Sequence, residues 1–386
     1  MRSTAAPAVS PTPVRFPAMC SSSTTPRNRS CVWSPASCVP KKTMASLILN
    51  GDTLRVTLQS KRVEVIYRVS DEQGERQETS QVPLFDIERV LVVGRPAVTL
   101  PVLTRLMDEG IPCFFITRHG RWRGSLLPDN NLNAGRRIRQ YESGTDPVFS
   151  LAVARRLIHA KIRNGRRVLQ RLAANRGISD ASDQVAACEA LRDLADQALA
   201  AETPDLVRGF EGIAAAHYFR RLGDFFSEAI PFTNRNRRPP RDPANALLSF
   251  AYTVLLGEVE GAIRAHGLDA GIGCLHCDRV NTPSLALDLM EPLRPAVADL
   301  LVLNLVNHNM VNPDADFEVN SDDGGVYLSE TGRKVFFVMY EQAMTRRFAP
   351  SKGAPHTDLR KVIDDQVCAY IRVLESGSEE VFFLLP

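Results

Sequence analysis

The sequence predicts an α+β protein, in which a small β-rich N-terminal domain is followed by a larger all-α-helical domain. Two observations predict this division. Residues 44–132 contain short runs in which apolar and polar residues alternate, the pattern of half-buried strands. Residues 133–386 instead repeat their apolar positions with helical periodicity. The chain of 386 residues, 44% hydrophobic and 24% charged, has ordinary globular composition and is long enough for two domains.

Residues 1–43 form a compositionally distinct N-terminal segment. They are rich in Ser, Thr and Pro, contain basic residues but no acid, and show no periodicity, which predicts disorder. The composition is also that of an organelle transit peptide, although no amphipathic helix is visible. A third explanation is a start codon assigned too early, because Met44 directly precedes the first strand pattern. We favour this misassigned start and exclude the segment from the fold.

The predicted β-rich domain contains several strands and one helix. Its strand patterns are rich in β-branched and aromatic residues and are separated by turns. One segment between two strands has helical spacing instead. The first strand begins after Met44, and it is followed by strands at 54–58, 62–67, 82–85 and 89–93, a helix at 99–109, and strands at 111–116 and 120–127.

Helical periodicity dominates the remainder of the chain. It predicts helices near 132–141, 147–174, 181–200, 204–221, 243–266, 284–311, 331–348 and 356–375. Residues 314–325 are a polar loop, and a short strand follows at 326–328. No run of about 18 apolar residues occurs, so no membrane-spanning helix is predicted. The apolar run 296–306 is short and is interrupted by Asp299 and Asn304, which predicts a buried helix.

Positive charge is segregated along the sequence, although the net charge is only +3. Residues 147–179 contain many basic residues but no acid, and two further arginine clusters lie at 118–139 and 235–241. Segregated positive charge attracts polyanions, and the guanidinium fork matches phosphate geometry. The alternative is that these clusters are solvated helix faces, which is the usual role of a single charged run.

The chain contains eight cysteines without the spacing of a disulfide-stabilised secreted domain. Reduced thiols and a cytoplasmic location are therefore predicted. Cys274 and Cys277 form a C-x-x-C motif around His276, which raises the alternative of a structural zinc site. Such a site needs further ligands at matching spacing, and no second pair follows nearby.

His276, Asp288 and Glu291 form the most informative pattern of the chain. Asp288 and Glu291 are three residues apart in a predicted helix, so they share one face. Two carboxylates and a neutral imidazole suit a divalent ion such as Mg²⁺ or Mn²⁺. The alternative is that the two acids only complement the positive end of the helix dipole.

Two upstream segments add to this pattern. Glu211 is followed by Gly212 and, from residue 214, by three alanines, and such small residues let a ligand or another backbone approach a helix. A basic, proline-rich loop at 234–241 leads into the helix predicted at 243–266, whose N-cap region offers Asp242 and free backbone N–H groups. A helix start beside cationic side chains is a candidate phosphate site.

In this order the segments closely resemble the CRISPR-associated adaptation endonuclease/integrase family (Cas-one). The resemblance covers about residues 46–375, and residues 1–43 have no counterpart in that family. Its marks are Glu211-Gly followed by small residues and Tyr218-Phe219, the stretch 237–252 from Arg-Arg-Pro-Pro to Ser-Phe-Ala-Tyr, Gly273-Cys-Leu-His276, the stretch 284–295 from Ser-Leu-Ala-Leu to Leu-Arg-Pro, and Tyr327-Leu-Ser-Glu-Thr-Gly-Arg-Lys.

The resemblance implies a β-rich domain, 44–132, that takes part in homodimerisation and a helical catalytic domain, 133–386, that binds metal and DNA. It implies that Glu211, His276 and Glu291 are the catalytic residues and hold Mg²⁺ or Mn²⁺. Asp288 falls on an accompanying acidic position and is an additional candidate ligand. Some family members carry Asp where Glu291 stands, and Glu is one methylene longer.

The implied activity is metal-dependent cleavage and integration of DNA, in which a 3′-hydroxyl of a short foreign fragment attacks a phosphodiester at the edge of a CRISPR repeat. The implied partners are double-stranded and branched DNA, a second copy of the chain and the small companion Cas adaptation protein, in the prokaryotic cytoplasm and without a membrane. The rival is a non-catalytic basic DNA-binding scaffold protein. The residues expected to bind DNA are Arg163, Arg166, Arg167, Arg237, Arg238, Arg241 and Arg279.

Overall fold

A computed structural model describes residues 45–386 apart from 51–52, 72–73, 119–121, 128–132, 237, 277–281 and 351–353. The predicted extension 1–43 lies outside the described residues. A β-rich N-terminal region is followed by a helical C-terminal part, which confirms the predicted α+β class. The helical part also contains a two-stranded antiparallel sheet, so it is not entirely helical.

The N-terminal region contains two four-stranded sheets. Its elements are β1 Ala45–Leu49, β2 Thr53–Gln59, β3 Arg62–Asp71, β4 Gly74–Pro83, β5 Ile87–Val93, β6 Ala97–Val98, α1 Leu100–Asp108, β7 Cys113–Ile116 and β8 Trp122–Leu126. The first sheet has the order β1-β5-β7-β8, and the second has the order β4-β3-β2-β6. Apolar side chains such as Val56, Val90 and Leu106 form a core between these elements.

Strand β4 pairs with β3 over its whole length, but the sequence predicts only its end. Its residues are mostly polar and β4 is an edge strand of its sheet. A polar edge strand lacks the alternation of apolar and polar residues by which strands are recognised. The strand predicted at 82–85 is therefore partly wrong, because β4 ends at Pro83 and residues Leu84–Asp86 form a 3₁₀ turn.

The helical part contains long helices whose starts are fixed by side chains. Asp146, Thr203 and Asp242 each accept a backbone N–H of the first turn, and each precedes a proline at the first helical position. The elements are α2 Ala134–Gly144, α3 Pro147–Arg176, α4 Ser182–Ala200, α5 Pro204–Gly223, α6 Pro243–Ala265, α7 Ser284–Met290, α8 Leu300–Asn307, β9 Phe317–Val319, β10 Val326–Leu328, α9 Glu330–Thr345 and α10 Leu359–Ser376.

The prediction of one continuous helix at 284–311 is wrong, because the helical segment is interrupted. Helix α7 is followed by a π-helical segment, Arg294–Asp299, and then by α8. Pro292 and Pro295 lack the backbone N–H that a regular α-helix requires, so the hydrogen-bond ladder is broken between α7 and α8. Glu291, which directly follows α7, lines a cleft.

Helix α6 lies in the main hydrophobic core. By its 23 residues and a mean hydropathy of 1.4 it could cross a membrane, but 67% of its apolar window is buried inside the fold. The β-rich region packs directly on it. A Cβ at Gly257 would lie 2.6 Å from the Trp122 ring, and one at Gly261 would lie 2.5 Å from the Phe114 ring. Contact with protein therefore accounts for the apolar character of α6.

Candidate metal centre

Three of the predicted site residues line one cleft in the helical part. Glu211 lies in α5, His276 in the loop before α7, and Glu291 directly after α7. The cleft has a volume of about 970 Å³, and its wall also includes Lys161 of α3. Segments that are distant in sequence thus converge on a common space.

The ammonium of Lys161 lies between the two glutamates. Its Nζ is 2.5 Å from Glu211 Oε1 and 2.6 Å from Glu291 Oε2. Burial would lower the pKa of Lys161, but the two carboxylates outweigh burial and raise it, so the side chain stays charged. One oxygen of each glutamate is therefore within reach of a single cationic atom.

Glu291 is buried, with 2% of its side chain exposed, and it is ionised. Burial opposes ionisation, but Arg294 and Lys161 outweigh burial and lower the pKa of Glu291 to about 2. The Arg294 guanidinium lies 3.1 Å from Oε1. Oε2 faces the Lys161 ammonium at 2.6 Å. An anionic oxygen in this state is suited to binding a cation.

His276 is held in place by Asp288. The ring Nδ1 lies 2.6 Å from Asp288 Oδ1, so in the neutral tautomer Nδ1–H donates this hydrogen bond and Nε2 keeps its lone pair. Burial would lower the pKa of His276, but the hydrogen bond to Asp288 and the negative charges of Asp288, Glu291 and Glu211 together outweigh burial and raise it. The imidazole is thereby fixed in one orientation.

Asp288 is completely buried and also fixes the loop that carries His276. Its carboxylate accepts the backbone N–H groups of Cys274, Leu275 and His276 at 2.6, 2.9 and 3.1 Å. Together with the imidazole, these donors occupy the lone pairs of both oxygens. The geometry of Asp288, which the sequence offers as an additional ligand, thus favours a positioning role over direct ligation.

The three predicted ligands line one cleft but are not drawn together around one point. Within the described ranges, the three potential donor atoms that do lie within 4.8 Å of one another belong to His266, Asp364 and Cys368. That group lies at the C-terminal end of α6 and on α10, apart from the residues that line the cleft. In the cleft itself, the Lys161 ammonium separates the two carboxylates.

A buried acid to which the sequence assigns no role lies at the same cleft. Asp299 accepts hydrogen bonds from the hydroxyls of Tyr218, at 2.8 Å, and Tyr252, at 2.6 Å. Burial raises the pKa of Asp299 to about 6, although both hydroxyls act to lower it. The available signal in the sequence is its position inside the apolar run 296–306, where a lone acid needs partners.

The basic loop before α6 contributes Arg235 and Arg238 to the cleft wall. Arg235 donates to the Asn245 side-chain oxygen at 2.6 Å, and its guanidinium lies 5.4 Å from the centroid of the Tyr252 ring. These contacts hold Arg235 within the site. The loop therefore brings positive charge to the cleft, as the sequence predicts.

The phosphate site predicted at the start of α6 requires a correction. The Asp242 side chain accepts the Asn245 backbone N–H at 2.8 Å, so a capping carboxylate already occupies the place predicted for an anion. Arg241 donates to the backbone carbonyls of Asp323 and Gly324 at 3.2 and 3.1 Å. This part of the loop is therefore engaged in contacts within the protein.

The arginines of α3 also have partners inside the protein. Arg166 Nε donates to the Cys188 carbonyl and Arg167 Nε donates to the Pro386 carbonyl, both at 3.0 Å. Arg163 is exposed. The predicted contacts of these arginines with DNA remain a prediction.

Several sequence predictions fall outside the described residues. They concern Arg237, Arg279 and Cys277, so the zinc alternative built on Cys277 stays open. The cysteines that the structure does describe, Cys113, Cys188, Cys274 and Cys368, are free thiols.

The fold consists of a β-rich region and a helical part. The helical part contains a cleft whose two glutamates already bind a cationic side chain. The chain matches the family described as CRISPR associated protein Cas1 over residues 47–342, and it belongs to this family. A CRISPR-associated endonuclease Cas1 of Moorella thermoacetica is 35% identical over 314 residues, which cover 78% of this chain and 88% of that protein. The family resemblance predicted from the sequence segments is thereby confirmed.

Solved structures share this fold. A CAS1 protein from Thermotoga maritima has a TM-score of 0.69 at 26% identity, and the match covers 87% of this chain and 99% of that chain. A casposase bound to its integration product has a TM-score of 0.76 at 22% identity, covering 88% of this chain and 93% of that chain. At 22% identity, the similarity to the casposase shows only that the two proteins share a fold.

Proposed function

We propose that this protein is a metal-dependent DNA endonuclease and integrase that inserts short foreign DNA fragments into a CRISPR array. Its main support is the convergence of Glu211 and Glu291 on one cationic position, in a cleft that His276 and arginines also line. The relative from Moorella thermoacetica bears the name endonuclease. In the proposed reaction, a 3′-hydroxyl of the incoming DNA attacks a phosphodiester at the edge of a repeat.

The donor set fits Mg²⁺ or Mn²⁺. Carboxylate oxygens suit both ions, and a neutral imidazole is a common additional ligand. Two features support the fit: the Lys161 ammonium places positive charge between the carboxylates, and the buried Glu291 carboxylate is ionised. When bound, such an ion supplies a Lewis acid for attack on the phosphodiester.

Each residue of the centre has its own role in this proposal. Glu211, Glu291 and His276 would hold the ion, and the hydrogen bond of His276 Nδ1 to Asp288 leaves the lone pair of Nε2 for it. Asp288 is a positioning residue, because its hydrogen bond to Nδ1 fixes the tautomer and the direction of the ring. Arg294 keeps Glu291 ionised.

The proposed substrates are double-stranded and branched DNA, namely the prespacer and the CRISPR repeat. Arginines bind the phosphate backbone with little reading of bases. We assign this role to Arg163, Arg166, Arg167, Arg237, Arg238, Arg241 and Arg279. We further propose, from the family, that the chain acts as a homodimer through its β-rich region, with the small companion Cas protein, in the prokaryotic cytoplasm.

An integration assay with supercoiled repeat DNA tests the proposal. Wild-type protein with the companion protein should insert a prespacer in Mg²⁺ or Mn²⁺ and should not do so in EDTA. Glu211→Gln and His276→Ala should each abolish strand transfer while duplex binding is retained. An equal loss of duplex binding would show that these residues are structural.

The non-catalytic scaffold makes a different prediction for the same proteins. A scaffold binds a branched oligonucleotide but does not nick it, whereas the proposed enzyme nicks it only with a divalent ion and an intact Glu211. Elemental analysis of the purified protein separates both from a zinc-stabilised protein organised by Cys274, His276 and Cys277.

A further inference from the structure

We propose that Lys161 is a displaceable internal counter-ion that couples divalent-ion binding to DNA binding. Without an ion, its ammonium holds Glu211 and Glu291 together. When an ion enters, the ammonium moves into the cleft and pairs with a DNA phosphate. This inference rests on the proposed function of the cleft.

The position of Lys161 disfavours joint occupancy with an ion. Its Nζ is 2.5 Å from Glu211 Oε1 and 2.6 Å from Glu291 Oε2. A Mg²⁺ ion bound to the same two oxygens would lie about 2.1 Å from each of them. Such an ion would lie within about 5 Å of Nζ, where the two positive charges repel each other strongly. Ion binding at these oxygens therefore favours displacement of the ammonium.

Displacement of the ammonium would add a positive charge to the wall of the cleft. Glu211 and Glu291 contribute two negative charges, and Lys161 and Arg294 contribute two positive charges, so the four groups are neutral together. A divalent ion takes over the neutralisation of the glutamates. The displaced ammonium then becomes uncompensated positive charge on the wall of the cleft.

Lys161 is better suited to this movement than Arg294. The Arg294 guanidinium contacts Glu291 Oε1 and lies 4.8 Å from the centroid of the Tyr252 ring, so it is held on two sides. Lys161 carries a compact ammonium on a flexible stem, which reorients without breaking a stacked contact. Among the residues that the structure describes, its salt-bridge partners are the two glutamates.

The cleft provides a destination for the ammonium. Lys161, Arg235 and Arg238 line the same cavity of about 970 Å³, where a DNA backbone would present its phosphates. A released ammonium that neutralises a phosphate adds to DNA affinity and to its salt dependence. By linkage, DNA must then tighten ion binding by the factor by which the ion tightens DNA binding.

Mn²⁺ binding measured by electron paramagnetic resonance, with and without DNA, tests this coupling. The probe is a blunt duplex whose strands end in dideoxynucleotides, so the attacking hydroxyl is missing. In wild-type protein the duplex should tighten Mn²⁺ binding about tenfold. In Lys161→Met, binding without DNA should already be about tenfold tighter than in wild type, and the duplex should change it less than about twofold.

Two further variants keep the test decisive. Arg294→Met removes one positive charge from the same glutamate but leaves Lys161 in place, so the coupling should persist. Lys161→Arg is the second variant to use if Lys161→Met fails to fold, because arginine keeps the positive charge that pairs with Glu211 and Glu291. It should weaken Mn²⁺ binding, because a guanidinium that bridges two carboxylates is harder to displace.

Three results would overturn the role of Lys161. They are unchanged or weaker Mn²⁺ binding in Lys161→Met, coupling that survives in that variant, and an equal loss of coupling in Arg294→Met. A different result would overturn the proposed metal centre itself, namely Mn²⁺ binding that Glu211→Gln does not affect. The two failures are therefore distinguishable.

Discussion

Two groups of cationic side chains in this protein have different partners. In the cleft, Lys161 and Arg294 pair with carboxylates, and Arg238 lines the same cavity. On α3, Arg166 and Arg167 donate to backbone carbonyls. A carboxylate can exchange its cationic partner for another cation. An arginine whose Nε donates to a backbone carbonyl has only its remaining N–H groups for a phosphate. A cluster of basic residues therefore identifies a binding surface only when its partners are known.

Loss of a cleft acid should have the largest effect. Glu211→Gln preserves size but removes the charge that a divalent ion requires, so we expect the strand-transfer rate to fall roughly 10³-fold. Arg167→Gln, from the α3 group, should leave the rate within a few fold of wild type. Single-turnover integration at saturating DNA measures both. Comparable losses in the two variants would remove the distinction between the groups.

The second prediction concerns the buried acid Asp299, whose hydrogen-bond partners are the hydroxyls of Tyr218 and Tyr252. Burial raises the pKa of Asp299 from its ordinary 3.8 to about 6. Between these values the folded state binds more protons than the unfolded state. The contribution of Asp299 therefore favours folding below about pH 4 and is lost as the pH rises through about 6. The difference between a pKa of 3.8 and one of about 6 corresponds to roughly 3 kcal/mol.

Asp299→Asn removes this ionisation. The unfolding free energy of the variant relative to wild type should increase by up to about 3 kcal/mol between about pH 4 and about pH 7. Urea denaturation across this range measures the difference, and a difference that does not change with pH would contradict a raised pKa at Asp299.

The strong helical signals of the sequence predict the fold well. Helices α3, α5 and α6 begin where proline follows a capping side chain, and the structure places them within a few residues of the predictions. Strand β4 could not be found in this way because its polar residues lack a buried face. The break after α7 could have been found, since Pro292 and Pro295 oppose a continuous helix.

The candidate site was only partly predictable. Family segments mark Glu211, His276 and Glu291, and the structure places these three residues at one cleft. Lys161 was counted only as one member of a basic segment, since its two partners come from α5 and from the turn after α7. Side-chain pairing between distant segments depends on how helices pack, and the periodicity of each helix does not specify it.

Loss of Asp288 should weaken ion binding by an intermediate amount. Asp288→Asn keeps the volume but disturbs the bond that fixes the His276 ring, and such supporting bonds typically contribute about 10- to 100-fold in metal affinity. Asp316→Asn is a matched control, because Asp316 is also buried but accepts the Asn312 backbone N–H instead. Calorimetric titration with Mn²⁺ compares the variants, and an unchanged affinity in Asp288→Asn would exclude the positioning role.

The smallest effects concern the two groups of arginines. Arg238→Gln should lower DNA affinity and reduce the slope of log affinity against log salt by about 1, because one phosphate contact is lost. Arg166→Gln should reduce this slope less, since its Nε already bonds to Cys188 and only its remaining N–H groups can reach phosphate. Fluorescence anisotropy with a duplex over a salt series measures both slopes. If Arg166→Gln reduced the slope as much as Arg238→Gln, the α3 face would bind DNA as strongly as the cleft, and a backbone carbonyl partner would not limit the contribution of an arginine to DNA binding.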